Sequence, residues 1–142
     1  MRDYAIDLYN RWAALWNGDL AIAGEIMAPE FTLRYAQPGA TVFDDVHDPA
    51  ALAAVVDAFR AERPGLEYDP QGVPVVDMTD GRTGLIAQPY GARVVDPDGT
   101  VVRDISGTDI LRFENGRIIE VWSVSGGPTG RSFYAYSASE KP

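Results

Sequence analysis

Residues 107–123 read Gly-Thr-Asp-Ile-Leu-Arg-Phe-Glu-Asn-Gly-Arg-Ile-Ile-Glu-Val-Trp-Ser. Two alternating runs meet at Asn115-Gly116, a strong short-range signal for a tight hairpin, because a type I′ turn needs positive φ at both central positions. The pattern predicts strands over residues 100–114 and 117–124. On the first, Asp109, Leu111 and Phe113 share one face and Thr108, Ile110 and Arg112 the other. On the second, Ile119, Val121 and Ser123 share a face and Trp122 points the opposite way. A carboxylate, Asp109, therefore stands on an apolar interior face, and Ser123 faces inward with it.

Upstream, the two-residue period continues. Residues 66–79 and 83–95 read as strands, punctuated by Asp80-Gly81 and by Asp96-Pro97-Asp98-Gly99. Pro70, Pro74 and Pro89 make these stretches edge-like or interrupted. Gly84, Gly91 and Gly107 are expected bulge or bend sites. A shorter strand is expected over residues 31–36, with Phe31, Leu33 and Tyr35 on one side. Before it the period is helical: Ala5, Leu8, Trp12 and Leu15 or Trp16 place a helix over residues 3–17, ended at Asn17-Gly18. Asp19 is the expected cap of a second, short helix that stops at Pro29. Asp48-Pro49 opens a third helix with Leu52, Val55, Val56 and Phe59 as its buried stripe and Pro64-Gly65 as its stop. Residues 37–46 read as loop. Residues 126–142 read as a tail in which Phe133, Tyr134 and Tyr136 require a docking place. This order predicts an α+β fold, in which three helices from the N-terminal half pack on one face of a curved antiparallel sheet and enclose a pocket.

Composition narrows the function. A length of 142 residues suits one domain over residues 1–142. Lys and Arg number 12 against 21 Asp and Glu, a net charge of −9 that argues against nucleic-acid backbones and anionic membrane surfaces. The chain has no Cys, which removes thiol nucleophiles, disulfides and Cys-ligated metals. His47 is the one His, too few for a His-rich metal site. It sits in an acidic loop beside Asp44, Asp45 and Asp48, where anchoring the loop is the ordinary role. The glycines match no phosphate-cradling pattern. No metal or organic cofactor is expected. No apolar run reaches the roughly 18 residues of a membrane span, and the N-terminus carries no signal-peptide core. A cytoplasmic protein is expected.

Two strings also resemble a known family. Residues 9–31, Tyr-Asn-Arg-Trp-Ala-Ala-Leu-Trp-Asn-Gly-Asp-Leu through Met-Ala-Pro-Glu-Phe, resemble the opening helices of nuclear transport factor 2-like proteins. Residues 107–123 resemble the terminal hairpin of the SnoaL-like polyketide cyclase branch, and the likeness runs in order over about residues 3–125. It implies a cone-shaped α+β barrel, usually a homodimer, with a deep apolar pocket. Members include cyclases, ketosteroid isomerase-like enzymes, epoxide hydrolases, dehydratases and non-catalytic domains. In the cyclases an acid/base pair sits on the last two strands. One member, Asp or His, falls on Asp109, which fits; the other, an Asp, falls on Ser123, which departs from the pattern.

Asp109 is the expected catalytic residue. Burial raises a carboxyl's pKa, and a raised pKa suits a general acid/base. The structural alternative is that Asp109 pairs with an inward Arg or Tyr and merely orders the core. Tyr35, Tyr90, Ser123, Trp12 and Trp16 are expected to contact substrate, with Tyr68 a further candidate donor. Tyrosines bring an apolar body and one hydroxyl. Arg103 and Asp104 lie near the mouth or form an exposed ion pair. Trp122, facing outward, suggests a homodimer through the outer sheet face. The expected function is cofactor-free acid/base chemistry (cyclisation, isomerisation or dehydration) on a hydrophobic, polyketide-like substrate. A non-catalytic ligand-binding or dimerisation domain and an epoxide-opening hydrolase are the alternatives.

Overall fold

Helix α1 spans Arg2–Trp16 and buries Leu8, Tyr9, Trp12, Leu15 and Trp16 along one stripe. The Asn17 side chain then joins it to the sheet. Its amide donates to the Tyr68 carbonyl at 2.9 Å and accepts from the Tyr68 N–H at 2.7 Å, in the manner of a neighbouring strand. Asp19 does not cap the next helix through its side chain. A 3-10 turn at Leu20–Ile22 intervenes, and helix α2, Ala23–Ile26, is a single turn. Pro29 falls inside strand β1, Met27–Tyr35, so the helix ends earlier than expected and the strand begins earlier. Helix α3, Pro49–Ala61, opens as read, with the Asp48 carboxylate accepting from the Ala51 N–H at 2.9 Å. The computed structural model describes residues 1–134.

The other strands are β2 (Leu66–Pro70), β3 (Val75–Asp80), β4 (Thr83–Val95), β5 (Val101–Glu114) and β6 (Arg117–Ser125). The stretch expected as one strand over residues 66–79 is two. Pro70 and Pro74 lack backbone donors and Gly72 takes φ of +65°, so pairing stops between them. Both halves pair with the long β4. The sheet order is β1-β6-β5-β4-β2, with β3 also on β4. β2 to β6 pair antiparallel, whereas β1 joins β6 in parallel, making the sheet mixed. The fold class is the expected one: three helices packed with a curved, unclosed sheet.

The hairpin at residues 114–117 forms as predicted, with Asn115 at φ +50° and Gly116 at +82°. One detail differs. Arg112 pairs with Glu120 but Phe113 pairs with Ile118, so Ile119 is an extra residue, a bulge. Parity therefore breaks before Glu120: Ile118, not Ile119, is fully buried, while Val121 and Ser123 stay inward. Pairing runs without interruption through Gly84, Gly91 and Gly107, so these glycines are not bulges.

The core gathers on the concave side, from Leu8, Trp12 and Leu15 on α1 to Leu52 and Val56 on α3 and Ile86, Leu111, Phe113 and Val121 on the sheet. The loop over residues 37–46 contains a 3-10 turn, Ala40–Phe43, that delivers Phe43 to this core. Residues 126–134 dock against β5: the Ser106 N–H donates to the Arg131 carbonyl at 3.0 Å and the Phe133 N–H donates to Ser106 Oγ at 2.9 Å. Residues 135–142, including Tyr136, lie outside the described residues. No helix among the described residues is long and apolar enough to cross a membrane.

Candidate active site

Between α1, α3 and the concave sheet lies a cavity of about 750 Å³. Its size suits a small organic molecule, since such sites run from roughly 300 to 1,000 Å³. Trp16 is the hub of its wall. The rings of Tyr35, Phe43, Phe59 and Tyr68 all lie within 6.3 Å of the Trp16 ring, centroid to centroid. Each such aromatic pair contributes about 0.5–1.5 kcal/mol beyond area burial.

Asp109 lies at the floor, and its side chain is enclosed. It arrives there because β5 alternates and its inward face is apolar on either side. The Tyr9 hydroxyl donates to Asp109 Oδ2 at 2.9 Å, and the Trp12 indole N–H donates to the same oxygen at 3.1 Å. Ser123 stands directly opposite Asp109 in the β5–β6 register, and it lines the same cavity. Burial pushes the Asp109 carboxyl up from its ordinary range, against the pull of Ser123, Trp12 and Tyr9. Burial is the larger effect because all three partners are neutral dipoles rather than a cation. Among the described residues Asp109 has no ion pair, so the structural alternative does not hold in its Arg form, whereas the pairing with an inward Tyr is present, to Tyr9.

A carboxylate oxygen offers two lone-pair directions, and on Oδ2 both are occupied by the donors from α1. In the neutral acid the proton therefore resides on Oδ1. Tyr9, Tyr35, Tyr68 and Tyr90 are all held protonated, by burial first and by the Asp109 charge as a further cause. The deep part of the cavity thus presents neutral hydroxyl donors around one buried carboxyl, while Glu62 and Asp69 lie at its exposed rim.

The structure brings together Asp109, Tyr35, Tyr90, Ser123, Trp12 and Trp16 in the lining of this cavity, with Tyr68. Tyr9 was not legible as a site residue. It sits beside the Leu8–Trp12 stripe, and its one available signal is a hydroxyl on a buried helical face that needs a partner. Arg103 lines the mouth, whereas Asp104 faces away, opposite Arg93 in the register. His47 anchors the loop: its Nδ1 lies 3.1 Å from the Phe31 carbonyl, and the Phe31 N–H donates to the His47 carbonyl at 3.0 Å. Among the described residues no group of three or more His, Cys, Asp or Glu could hold a metal ion.

On the outer face Trp122 and Val124 are exposed beside an ion-pair network. Glu120 accepts from Arg34 at 2.5 Å and from Arg112 at 3.0 Å. The Arg34 bond is the first cause that lowers the Glu120 carboxyl below its ordinary range.

The same architecture occurs in known proteins. A SnoaL-like domain model matches residues 8–121. A candidate isomerase of the SnoaL-like family from Agrobacterium tumefaciens superposes with a TM-score of 0.63 at 22% identity, covering 88% of this chain and 99% of that one. A candidate polyketide cyclase from Acidithiobacillus ferrooxidans gives 0.63 at 19% identity over 87% and 89%. IdmH from Streptomyces antibioticus, also a candidate polyketide cyclase, gives 0.61 at 21% identity over 85% and 91%. At these identities the likeness is one of fold. No curated protein matches the chain in sequence. The domain match runs from Leu8 on α1 to Val121 on β6, across most of the elements that build the cavity, and the chain belongs to the SnoaL-like family.

Proposed function

We propose that the chain is a cofactor-free enzyme of cyclase, isomerase or dehydratase type, acting by acid/base chemistry on a hydrophobic, polyketide-like molecule in the cytoplasm. One observation supports this above the others: a buried carboxyl at the floor of an aromatic cavity, bonded to the neutral donors Tyr9 and Trp12 and, among the described residues, to no cation. Such a group exchanges protons with a bound carbon acid or leaving hydroxyl more readily than an ordinary carboxylate does. Asp109 shuttles the proton. Tyr35, Tyr90 and Ser123 orient a carbonyl, while Trp12 and Trp16 flank the apolar body. The protein acts as a homodimer joined through the outer sheet face around Trp122.

The experiment is proton exchange in D₂O. A panel of aromatic polyketones and cyclic enones is incubated with the protein, and loss of α-carbon protons is followed by NMR. Exchange with at least one class, abolished by Asp109→Asn, is the expected result. Exchange unaffected by that change would contradict the proposal. A second reading is favoured by Ser123, which stands opposite Asp109 where the cyclase pattern has a second carboxylate. On that reading the cavity binds without turnover, and saturable binding with no exchange would establish it.

A further inference from the structure

We infer that Ser123 and Tyr90 form a hydroxyl relay along the cavity wall from Asp109 to the bound molecule, so that Tyr90 serves as the second proton-transfer group in place of a second carboxylate. The inference rests on the acid/base reading of Asp109 and deepens it.

The two oxygens of Asp109 are not equivalent. Tyr9 and Trp12 hold Oδ2, so the mobile proton belongs to Oδ1. Ser123 is the register partner of Asp109 on β6, so its hydroxyl stands beside the carboxyl in the wall of the same cavity. Tyr90 lies on β4, with β5 between it and β6, and ordinarily could not reach Ser123. Here the way is open because its cross-strand partner on β5 is Gly107, whose own partner on β6 is Ser125. A Cβ at position 107 would lie 2.5 Å from Tyr90 Oη and 2.6 Å from Cζ. The Tyr90 ring thus crosses β5 through space that only a glycine leaves, which brings its hydroxyl toward β6, where Ser123 and Ser125 face the same cavity. Tyr90, Ser123 and Ser125 all line the cavity.

A hydroxyl accepts one hydrogen bond while donating another, so it passes a proton without becoming charged. The bound molecule takes the proton of Tyr90 Oη, Tyr90 takes the proton of Ser123 Oγ, and Ser123 takes the proton of Asp109 Oδ1. Both hydroxyls end with an O–H bond remade. The net change is one proton moved from Asp109 to the bound molecule, and the carboxylate left behind keeps its bonds from Tyr9 and Trp12. Burial holds the Tyr90 phenol neutral, which suits a relay and not a tyrosinate base. The other titratable groups facing Asp109 are Tyr9 from α1, Tyr35 from β1 and Tyr68 from β2, all held neutral as well.

The test needs no substrate. The Asp109 side-chain carboxyl is titrated by ¹³C NMR, assigned by its disappearance in Asp109→Asn, in four proteins: the natural sequence, Tyr90→Phe, Ser123→Ala and the double variant. Ser123→Ala moves the midpoint up. Tyr90→Phe moves it up by about a tenth to a third of that shift, the cooperative gain expected from one adjoining hydrogen bond. With Ser123→Ala already present, Tyr90→Phe adds nothing; with Ser123→Thr, which keeps the hydroxyl, its effect returns. Amide spectra verify that each variant is folded. A Tyr90→Phe shift of equal size with and without the Ser123 hydroxyl, or no shift at all, would overturn the relay. Such a failure leaves the acid/base role of Asp109 open to the exchange experiment, and a failed exchange experiment leaves this coupling readable.

Discussion

The Tyr9 hydroxyl donates to Asp109 Oδ2 at 2.9 Å, tying helix α1 to strand β5 across 100 residues of chain. The bond serves both the fold and the site. Tyr9→Phe keeps the ring and removes the donor, leaving the carboxyl with Trp12 and Ser123. The expected cost is about 1–2 kcal/mol of stability in urea unfolding, the range for losing one hydrogen bond to a buried group. The Asp109 midpoint should rise further, because a donor that favours the ionised form is gone. An unchanged midpoint would show that the bond is not felt by the carboxyl.

The pH dependence of stability has a definite sign. The folded-state pKa of Asp109 is raised above its ordinary value of 3.8, so its contribution is fully present below that value and is lost as pH rises through the folded pKa. Glu120 is the reverse: its pKa is lowered from 4.5, so its contribution is present above that value and is lost as pH falls. Comparing melting temperatures of the natural protein and Asp109→Asn from pH 4 to pH 8 isolates the first effect. The gap in favour of Asn should widen as pH rises and then level off. A gap independent of pH would mean that Asp109 titrates alike in the folded and unfolded chain.

Gly107→Ala should destabilise the protein by about 1–3 kcal/mol, the usual cost of overpacking. The new methyl would meet the Tyr90 hydroxyl at 2.5 Å and the Val124 carbonyl at 2.6 Å, and the second is backbone that cannot swing aside. Equilibrium unfolding measures it. Full stability would mean that Tyr90 does not cross β5 at Gly107.

Much of this was legible in the sequence, for physical reasons. Asn115-Gly116 admits few backbone solutions, so the hairpin and the inward face of Asp109, Leu111 and Phe113 followed from it. The bulge at Ile119 did not, because alternation carries no mark of an inserted residue. The parallel pairing of β1 with β6 escaped for a similar reason: a period of two says which face is buried and nothing about direction. Phe43 falls in a segment that reads as loop, because one 3-10 turn is too short to show a period. At the site, the residues placed by strand parity, Tyr35, Asp109 and Ser123, lie together in one cavity. Tyr9 was missed because a tyrosine beside an apolar stripe reads equally as core. Its partner lies 100 residues away.

The outer sheet face gives a prediction of its own. Trp122 remains 36% exposed and Val124 50% exposed in the single chain, beside the Arg34–Glu120–Arg112 network. Light scattering at micromolar concentration should give the mass of a dimer, and Trp122→Glu should give a monomer of unchanged fold. A monomeric natural protein would contradict the homodimer.

The most direct test of the acid/base account is Asp109→Asn, measured for α-proton exchange and for melting temperature on the same sample. Asn keeps the volume and accepts from Tyr9 and Trp12, but it cannot hold or deliver the proton. Exchange should fall by about 10²–10⁴-fold, the worth of one positioned proton-transfer group. The melting temperature should hold or rise, since the amide removes a buried ionisable group that no cation balances. Retained exchange together with a large fall in melting temperature would contradict the account and make Asp109 a structural residue.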